Sequence, residues 1–218
     1  RGQEVVTIPN PIDTRMFCPK SQKEARQRAG LIMDKQLILF VSQRVTDKRK
    51  GIDFLIEAVG KLIEARPELK DHLGVAILGG HSEAITDNLP LPVYSLGYIS
   101  DEKRLVDIYN SANVFVLPSL EDNLPNTIME SMACGVPCVG FRVGGIPEMI
   151  DHKMNGYVAE FKDASDFAAG LFWVLHEADH DELRRNAVQK VQSKYSQTYV
   201  SQRYIEVYNQ ALAIKEFH

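Results

Sequence analysis

The stretch Leu37-Ile38-Leu39-Phe40-Val41 is an unbroken apolar run of strand length. A strand whose apolar residues are continuous rather than alternating has both faces covered, which is typical of parallel sheets. The segment that follows it is predicted to be a helix, because its apolar residues recur at the spacing of one buried helix face. These residues are Ile52, Leu55, Ile56, Val59, Leu62 and Ile63. A buried strand followed by an amphipathic helix is the unit from which α/β sheets are built.

The same alternation continues to about residue 160 and gives way to helices after Asp163. It predicts an α/β fold, a Rossmann-like three-layer sandwich with a mostly parallel six-stranded sheet and C-terminal helices. Further strands are expected at 74–78, 93–96, 114–117, 137–141 and 156–160. Helices are expected at 101–112, 126–133, 163–175, 181–194 and 196–215. We expect residues 1–20 to be a connection with an entry strand near Val5 and a proline-punctuated loop, and residues 21–218 to be the domain itself.

Composition excludes several classes of protein. With 29 acidic and 25 basic residues among 218, the net charge of −4 does not favour a nucleic-acid-binding protein. The longest apolar runs are far shorter than the ~20 residues that span a bilayer, so no spanning helix is predicted. Three cysteines with no CxxC pair argue against a disulfide framework or a zinc site and favour a reducing, cytoplasmic location. The start at Arg1, without methionine or signal peptide, suggests a fragment.

Candidate binding residues are sought after each predicted strand, because ligands of open parallel sheets bind at the carboxyl ends of the strands. Arg44 and Lys50 follow the first strand, and both side chains could bind a phosphate. Gly51 would let the backbone of that loop come close to the ligand. The alternative is an ordinary solvated basic loop.

Two of the acidic residues that follow the fourth strand, Asp122 and Glu130, are candidate binding residues. Glu130 is expected on a largely apolar helix face, where a carboxylate is costly unless it is paired, and a vicinal diol such as a ribose would supply two donors. Asp122 precedes that helix, and its alternative role is to cap the helix N-terminus. The helix start itself suits an anionic or hydroxyl-rich ligand.

Other patterns are weaker. Asp179-His180-Asp181 matches the D-x-D pattern of metal-dependent sugar transferases, but it lies in the all-helical region rather than after a strand, so no metal site is predicted. The histidines form no HExxH spacing, and no P-loop, GxGxxG or Ser–His–Asp signature supports a Walker NTPase, a nicotinamide dehydrogenase or a hydrolase.

Short segments in a fixed order cover nearly the whole chain. They are Ile8-Pro9-Asn10-Pro11-Ile12-Asp13, Val41-Ser42-Gln43-Arg44, Lys50-Gly51, Leu96-Gly97-Tyr98, Val116-Leu117-Pro118-Ser119, Glu130-Ser131-Met132-Ala133-Cys134-Gly135-Val136-Pro137, Gly144-Gly145-Ile146-Pro147-Glu148 and Asn155-Gly156. In this order and spacing they resemble the nucleotide-sugar-binding C-terminal half of the group 1 glycosyltransferases, which are retaining enzymes of the GT-B fold. That family places two acidic residues, separated by seven positions, against the sugar donor, and Asp122 and Glu130 have that spacing.

The resemblance implies a role for each candidate. Glu130 would bind the ribose hydroxyls, and Asp122 would contact hydroxyls of the transferred sugar. Arg44 and Lys50 would hold the diphosphate and offset the charge of the leaving group without a metal. The remaining contacts to the donor would come from Asn123, Leu124 and Asn126 beside the sugar and phosphate, and from Gly97, Tyr98 and Ile99 beside the base.

Three departures from the family pattern are visible. The first acid is usually Glu and is Asp122 here, and the usual glycine-rich stretch is Asn123-Leu124-Pro125, in which proline removes a backbone donor. Pro11 also replaces the common glycine of the connecting turn.

The resemblance implies a donor-binding domain that transfers a sugar from a nucleoside-diphosphate sugar to a glycan or lipid-linked acceptor, as in polysaccharide biosynthesis. The acceptor half of a GT-B enzyme is not within these 218 residues, so the chain alone is expected to be inactive. Expected partners are the nucleotide sugar and that acceptor, with no nucleic acid and no prosthetic group. The full-length protein could associate peripherally with the inner face of a membrane. Alternatives are a non-catalytic nucleotide-sugar-binding module or another GT-B enzyme such as an epimerase.

Overall fold

The computed structural model describes residues 5–215, and within them six strands form one sheet. The strands are β1 (Gln36–Arg44), β2 (Leu73–Gly80), β3 (Val93–Gly97), β4 (Val114–Leu117), β5 (Cys138–Phe141) and β6 (Gly156–Ala159). Their order is β3-β2-β1-β4-β5-β6, and all five pairings are parallel. The chain therefore builds outward from β1 to β3 and then returns to the other side of β1. This confirms the predicted α/β sheet and makes it wholly parallel rather than mostly parallel.

Eight α-helices accompany the sheet in the described part of the chain. They are α1 (Gln22–Ala29), α2 (Ile52–Ala65), α3 (Glu102–Ser111), α4 (Asn126–Ala133), α5 (Ile146–Met149), α6 (Ala164–Phe172), α7 (His180–Lys194) and α8 (Gln197–Lys215). Short 3-10 turns lie at Lys48–Lys50, Pro67–Asp71, Ser82–Ala84 and Thr86–Asn88. The helix expected to reach Leu175 ends as an α-helix at Phe172 and continues as a π-helical turn, Trp173–Glu177.

The sheet separates two apolar layers, because successive side chains of each strand point to opposite faces. From β1, Ile38 and Phe40 pack into the layer formed with α2 and α6, whereas Leu39 packs into the layer formed with α3, α4 and α7. All three side chains are fully buried, and burial of each contributes about 1.5–3 kcal/mol to folding. The continuous apolar runs of the sequence are thus explained by a sheet covered on both faces.

The predicted entry strand near Val5 is wrong. Residues 5–10 form neither helix nor strand, and Val5 is 88% exposed. A strand needs a hydrogen-bonded neighbour, and the connection instead crosses a cleft beside Gly144 and Gly145. Its first ladder contact is a single bridge between Ile12 and Ser196. The part of this prediction that concerns residues 1–4 lies outside the described residues.

Helix α1 was not predicted, since its sequence QKEARQRA contains no apolar residue larger than alanine. It is defined by its ends: the Ser21 side chain accepts from the Glu24 backbone N–H, and Gly30 follows with a φ of 68°. Its buried face is carried by Arg26, which is only 4% exposed and donates to the Ser111 carbonyl oxygen at 2.9 Å. A polar inner face of this kind leaves no hydrophobic periodicity to detect.

Within the described residues, no helix combines the length and the apolar character that crossing a membrane requires.

Candidate functional site

The carboxyl ends of β1 and β4 mark the point where the strand order reverses, and ligands of open α/β sheets bind at such a point. The loops after these two strands touch directly, because the Leu120 backbone N–H donates to the Arg49 carbonyl oxygen at 2.7 Å. Gly51 makes this approach possible. Its φ is 69°, and a Cβ at this position would lie 1.8 Å from the Pro118 carbonyl oxygen.

Lys50 and Asp122 meet across these two loops. The Lys50 Nζ donates to the Asp122 Oδ2 at 2.7 Å, and the Ser119 Oγ donates to the same oxygen at 3.2 Å. The side chains are 31% and 15% exposed, respectively, so the ion pair is only partly hydrated. Helix α4 has Pro125 at its N-cap position with no side-chain cap. The alternative reading of Asp122 as a helix cap is therefore wrong, and the carboxylate holds a lysine instead.

Arg44 and Arg49 differ in their surroundings at this edge. Arg44 ends β1 with an exposed side chain, and its carbonyl oxygen accepts from the Ser42 Oγ at 2.8 Å. Arg49 is exposed and forms an ion pair with Asp47 at 2.8 Å. Arg44 thus lies, like Lys50, at the carboxyl end of β1, where an anion could reach both side chains.

Glu130 lies on α4, where it is half-buried, and its Oε2 accepts from the Tyr109 hydroxyl at 2.7 Å. Burial raises the pKa of the Glu130 carboxyl, the hydrogen bond from Tyr109 works against that rise, and the nearby charge of Glu102 adds to it. The pKa of Tyr109 is in turn raised well above its ordinary value, first by complete burial and then by the charge of Glu130. The phenol therefore stays protonated and acts as the donor.

Sequence reasoning missed Tyr109, which lies 21 residues before Glu130. The one available signal was chemical. Tyr109 occupies a core position of an amphipathic helix, and a buried tyrosine hydroxyl needs a hydrogen-bond acceptor. The sequence did not say which acceptor, because the pairing depends on how α3 packs beside α4.

Glu130 borders a cleft of about 370 Å³ between α4, the start of α3 and the connecting segment. Its polar lining includes Asp13, Glu102, Asn126 and Gln197. The predicted site residue Asn126 begins α4, and its Oδ1 accepts from the Asn10 Nδ2 at 3.4 Å. This cleft therefore presents oxygen and amide groups that suit a hydroxyl-bearing ligand.

A second cleft, of about 400 Å³, contains the predicted residues Asn123 and Leu124. It also contains Gly144 and Gly145, whose backbone packs directly on the loop after β4 that carries Asp122. A Cβ on Gly144 would lie 1.7 Å from the Asp122 carbonyl oxygen, and one on Gly145 would lie 2.0 Å from the Asn123 carbonyl oxygen. The two glycines thus support the loop that carries Asp122, a role that the sequence did not reveal.

The predicted base-contact residues lie at the end of β3, two strands away from β1. Gly97 is the last residue of that strand and has a φ of 66°. Tyr98 is 72% exposed, and Ile99 packs against the apolar layer of α3 and α4. These residues share the carboxyl edge of the sheet with Lys50 and Asp122.

The D-x-D pattern has a structural explanation. Asp179 caps α7 by accepting from the Glu182 backbone N–H at 3.0 Å, and His180 Nε2 lies 2.8 Å from the Asn113 carbonyl oxygen. Among residues 5–215, no cluster of three or more His, Cys, Asp or Glu side chains has an arrangement that could hold a metal ion.

Comparison with known proteins relates this chain to a family. The sequence model described as "Glycosyl transferases group 1" matches residues 35–177. The D-inositol 3-phosphate glycosyltransferase of Thermobifida fusca is 32% identical over 184 residues, which are 79% of this chain and 42% of that protein. The chain therefore spans about two fifths of the length of this curated relative.

Solved structures show the same architecture. Sucrose-phosphate synthase from Thermosynechococcus elongatus superposes with a TM-score of 0.79 at 25% identity, covering 95% of this chain and 52% of that one. The Anabaena protein HepE, solved in complex with UDP, superposes with a TM-score of 0.77 at 19% identity, covering 93% of this chain and 57% of that one. The fold is that of one half of a GT-B glycosyltransferase.

Proposed function

Because the chain belongs to the group 1 glycosyltransferases, we propose that it is the domain of a retaining sugar transferase that binds the nucleoside-diphosphate sugar. One observation carries the proposal. Lys50 and Asp122 meet at 2.7 Å at the switch point of the sheet, and the helix that follows Asp122 carries Glu130 toward a neighbouring cleft. A lysine for the phosphates and a carboxylate for the ribose are thus held on adjoining elements.

In this proposal each group has a separate task. Arg44 and Lys50 bind the diphosphate and offset the negative charge that grows on it as the sugar–phosphate bond breaks, which is charge stabilisation without a metal. Glu130 accepts hydrogen bonds from the two ribose hydroxyls. Asp122 orients Lys50 through Oδ2 and contacts the transferred sugar through its other lone pairs. Gly97, Tyr98 and Ile99 face the base, and Asn123, Leu124 and Asn126 face the sugar and phosphate.

The acceptor is proposed to be a glycan or a lipid-linked glycan, bound by a partner half of the GT-B fold, and the reaction to take place in the cytoplasm or at the inner face of a membrane. A second acceptor class is favoured by the relatives, which are named for D-inositol 3-phosphate and are up to 33% identical to this chain. Both acceptors present a hydroxyl group to the donor sugar, so the donor site described above serves either of them.

Calorimetric titration of the chain with UDP, GDP and ADP, and with their sugars, tests the donor site. We expect one nucleoside diphosphate to bind, and Glu130→Ala and Arg44→Ala to weaken that binding about tenfold each, the loss of a hydrogen bond or contact to a charged group. Arg203→Ala, on α8, is the matched control and should bind as the wild type does. If the wild type binds none of these ligands, or if all three variants bind equally well, the proposed site is wrong.

Sugar transfer is tested separately. The 218-residue chain and the full-length protein are each incubated with a radiolabelled nucleotide sugar and with each acceptor class. The nucleotide sugar carries the base that binds in the titration. We expect transfer only by the full-length protein, because in the proposal the acceptor is bound by the other half of the GT-B fold. Transfer by the 218-residue chain alone would contradict this expectation. Full-length protein that binds the donor but transfers to nothing would favour the non-catalytic module, and conversion of the donor sugar to an isomer would favour an epimerase.

A further inference from the structure

The Tyr109 side chain connects the core of the domain to the rim of the Glu130 cleft. Its ring is fully buried and packs edge-on against Phe17 and Phe115, with ring centroids 6.4 Å and 6.0 Å away. Three aromatic rings in contact fix the ring orientation, and its hydroxyl reaches the Glu130 Oε2 at 2.7 Å. The hydroxyl group that donates to Glu130 is therefore held in place by packed side chains rather than by a flexible loop.

The charged groups around Glu130 do not favour its ionised form. Glu102 at the start of α3 lines the same cleft, and its charge raises the pKa of Glu130; Asp13 on the connecting segment also lines the cleft and forms an ion pair with Arg15. At the end of α4, Cys134 is buried and its pKa is raised by that burial, so the thiol stays neutral. None of the described residues that line this cleft is Lys, Arg or His. The Tyr109 hydroxyl is thus the group that offsets the cost of a half-buried carboxylate here.

We infer that Tyr109 is a positioning residue for donor binding: its hydroxyl holds one oxygen of Glu130, so that the carboxylate faces the cleft and accepts both hydroxyls of a ribose diol. The inference rests on the proposed function, in which Glu130 binds the ribose. A carboxylate oxygen accepts more than one hydrogen bond, so the bond from Tyr109 leaves room for the ligand. Because Tyr109 lies beneath the site and does not touch the nucleotide, it acts only through Glu130.

The chain offers a matched control. The Tyr157 hydroxyl donates to the Asp166 Oδ1 at 2.8 Å, which makes a second tyrosine–carboxylate hydrogen bond. Asp166 lies in the first turn of α6 and also accepts from the Glu160 backbone N–H at 2.7 Å. Tyr157→Phe therefore removes the same kind of bond as Tyr109→Phe at a place away from the proposed donor site.

The experiment compares Tyr109→Phe, Tyr157→Phe, Glu130→Ala and the double variant Tyr109→Phe/Glu130→Ala. UDP, GDP and ADP are titrated into each, together with their 2′-deoxyribose forms, which lack one hydroxyl of the diol. We expect Tyr109→Phe to weaken binding of the preferred ribonucleotide about tenfold, the loss of a hydrogen bond to a charged group. It should also reduce the preference for ribose over deoxyribose. In the Glu130→Ala background the same substitution should have no further effect, since coupled residues are not additive.

A second readout does not depend on any ligand. The carboxyl carbon of Glu130 is followed by NMR as the pH is changed, in the wild type and in the two tyrosine variants. Tyr109→Phe should raise the pKa of Glu130, because the ionised form loses its donor, and Tyr157→Phe should leave that pKa unchanged.

The outcomes separate this inference from the proposed function. If the wild type binds no nucleotide, the proposed donor site fails, and the carboxyl titration alone decides whether Tyr109 holds Glu130. An unchanged Glu130 titration in Tyr109→Phe overturns the inference. It is also overturned if Tyr109→Phe weakens binding equally with and without Glu130, or if Tyr157→Phe has the same effect.

Discussion

The Nζ of Lys50 lies 2.7 Å from the Oδ2 of Asp122, although the two residues are 72 positions apart in the sequence. This contact joins the loops after β1 and β4, which are neighbours in the sheet only because the strand order reverses there. A partly exposed ion pair contributes about 0–1 kcal/mol to stability, so the fold does not depend on it. Its effect is to hold the lysine ammonium at the switch point, where an arriving diphosphate would share it with the carboxylate.

Replacement of this lysine should weaken diphosphate binding with little change in folding. We expect Lys50→Met to reduce the affinity for the preferred nucleoside diphosphate by about ten- to a hundredfold, because a charged hydrogen bond to phosphate contributes about 1.5–3 kcal/mol. Lys48→Met is the control, since Lys48 is exposed in the same loop. Calorimetry at two salt concentrations measures both variants. Equal affinities for Lys48→Met and Lys50→Met would mean that Lys50 does not contact the phosphates.

The contact between the two loops should depend on Gly51. Gly51→Ala places a Cβ 1.8 Å from the Pro118 carbonyl oxygen, so one of the loops must move. We expect the free energy of unfolding to fall by about 3 kcal/mol or more, measured by urea denaturation.

Gly30→Ala provides the control for backbone strain alone. Gly30 has nearly the same φ, 68° against 69° for Gly51, and a Cβ there would meet no heavy atom within 4 Å. It should cost only about 1–2 kcal/mol, the strain of a left-handed alanine. Similar losses for both variants would show that conformation, rather than the loop contact, determines the requirement for glycine.

Much of the sheet could be predicted because its strands are buried on both faces. The continuous apolar run from Leu37 to Val41, and the similar runs of the later strands, indicate burial on both faces. The helices that pack on the sheet have apolar residues at helical spacing. Helix α1 could not be predicted in this way, because its buried residues are Ala25 and Arg26, and the Arg26 guanidinium donates to the carbonyl oxygens of Lys35 and of the distant Ser111. The expected strand near Val5 failed for the opposite reason, since its apolar residues have no sheet neighbour to pair with.

The candidate site was also predictable only in part. The positions after each strand were predictable, since parallel strands bring their carboxyl ends to one edge. The partners of those side chains were not, because Lys50 meets Asp122, and Tyr109 meets Glu130, only through tertiary packing. Which residues bind the donor stays a prediction until the titrations are done.

The three cysteines should react very differently with a thiol reagent. Cys134 and Cys138 are buried, and burial raises the pKa of Cys138 to about 12, whereas Cys18 is partly exposed. Since the thiolate is the reactive form, iodoacetamide at pH 8 should alkylate Cys18 in the folded protein and the other two only in urea. Peptide mass spectrometry identifies the modified residues, and Cys18→Ser should remain unmodified under native conditions. Rapid native labelling of Cys134 would contradict the packing of α4 against α7.

Glu130 should lower the stability of the protein at neutral pH, because its carboxylate is half-buried. Its pKa is raised in the folded state, mainly by burial, so the folded form prefers the protonated carboxyl and loses stability as the pH rises through that pKa. Glutamine cannot ionise, and its side-chain oxygen still accepts from Tyr109. Glu130→Gln should therefore raise the Tm at pH 7 by about 2–4 °C, the shift that 1 kcal/mol produces in a domain of this size.

Asp107 supplies a control of opposite sign for this pH dependence. The Arg28 guanidinium lies 2.8 Å from the Asp107 carboxylate and holds the pKa of that carboxyl below its usual range. Its stabilising effect is present above the unfolded-state pKa and is lost as the pH falls through the folded-state value. Asp107→Asn should therefore lower the Tm at pH 7, whereas Glu130→Gln raises it. The gain from Glu130→Gln should disappear as the pH falls through the raised pKa of Glu130 to about 4, whereas the loss from Asp107→Asn should shrink only below about 4. Calorimetric scans from about pH 2 to about pH 8 measure the two curves on an otherwise identical chain. A gain for Glu130→Gln that persists unchanged at the acid end would show that it comes from packing and not from the carboxylate charge.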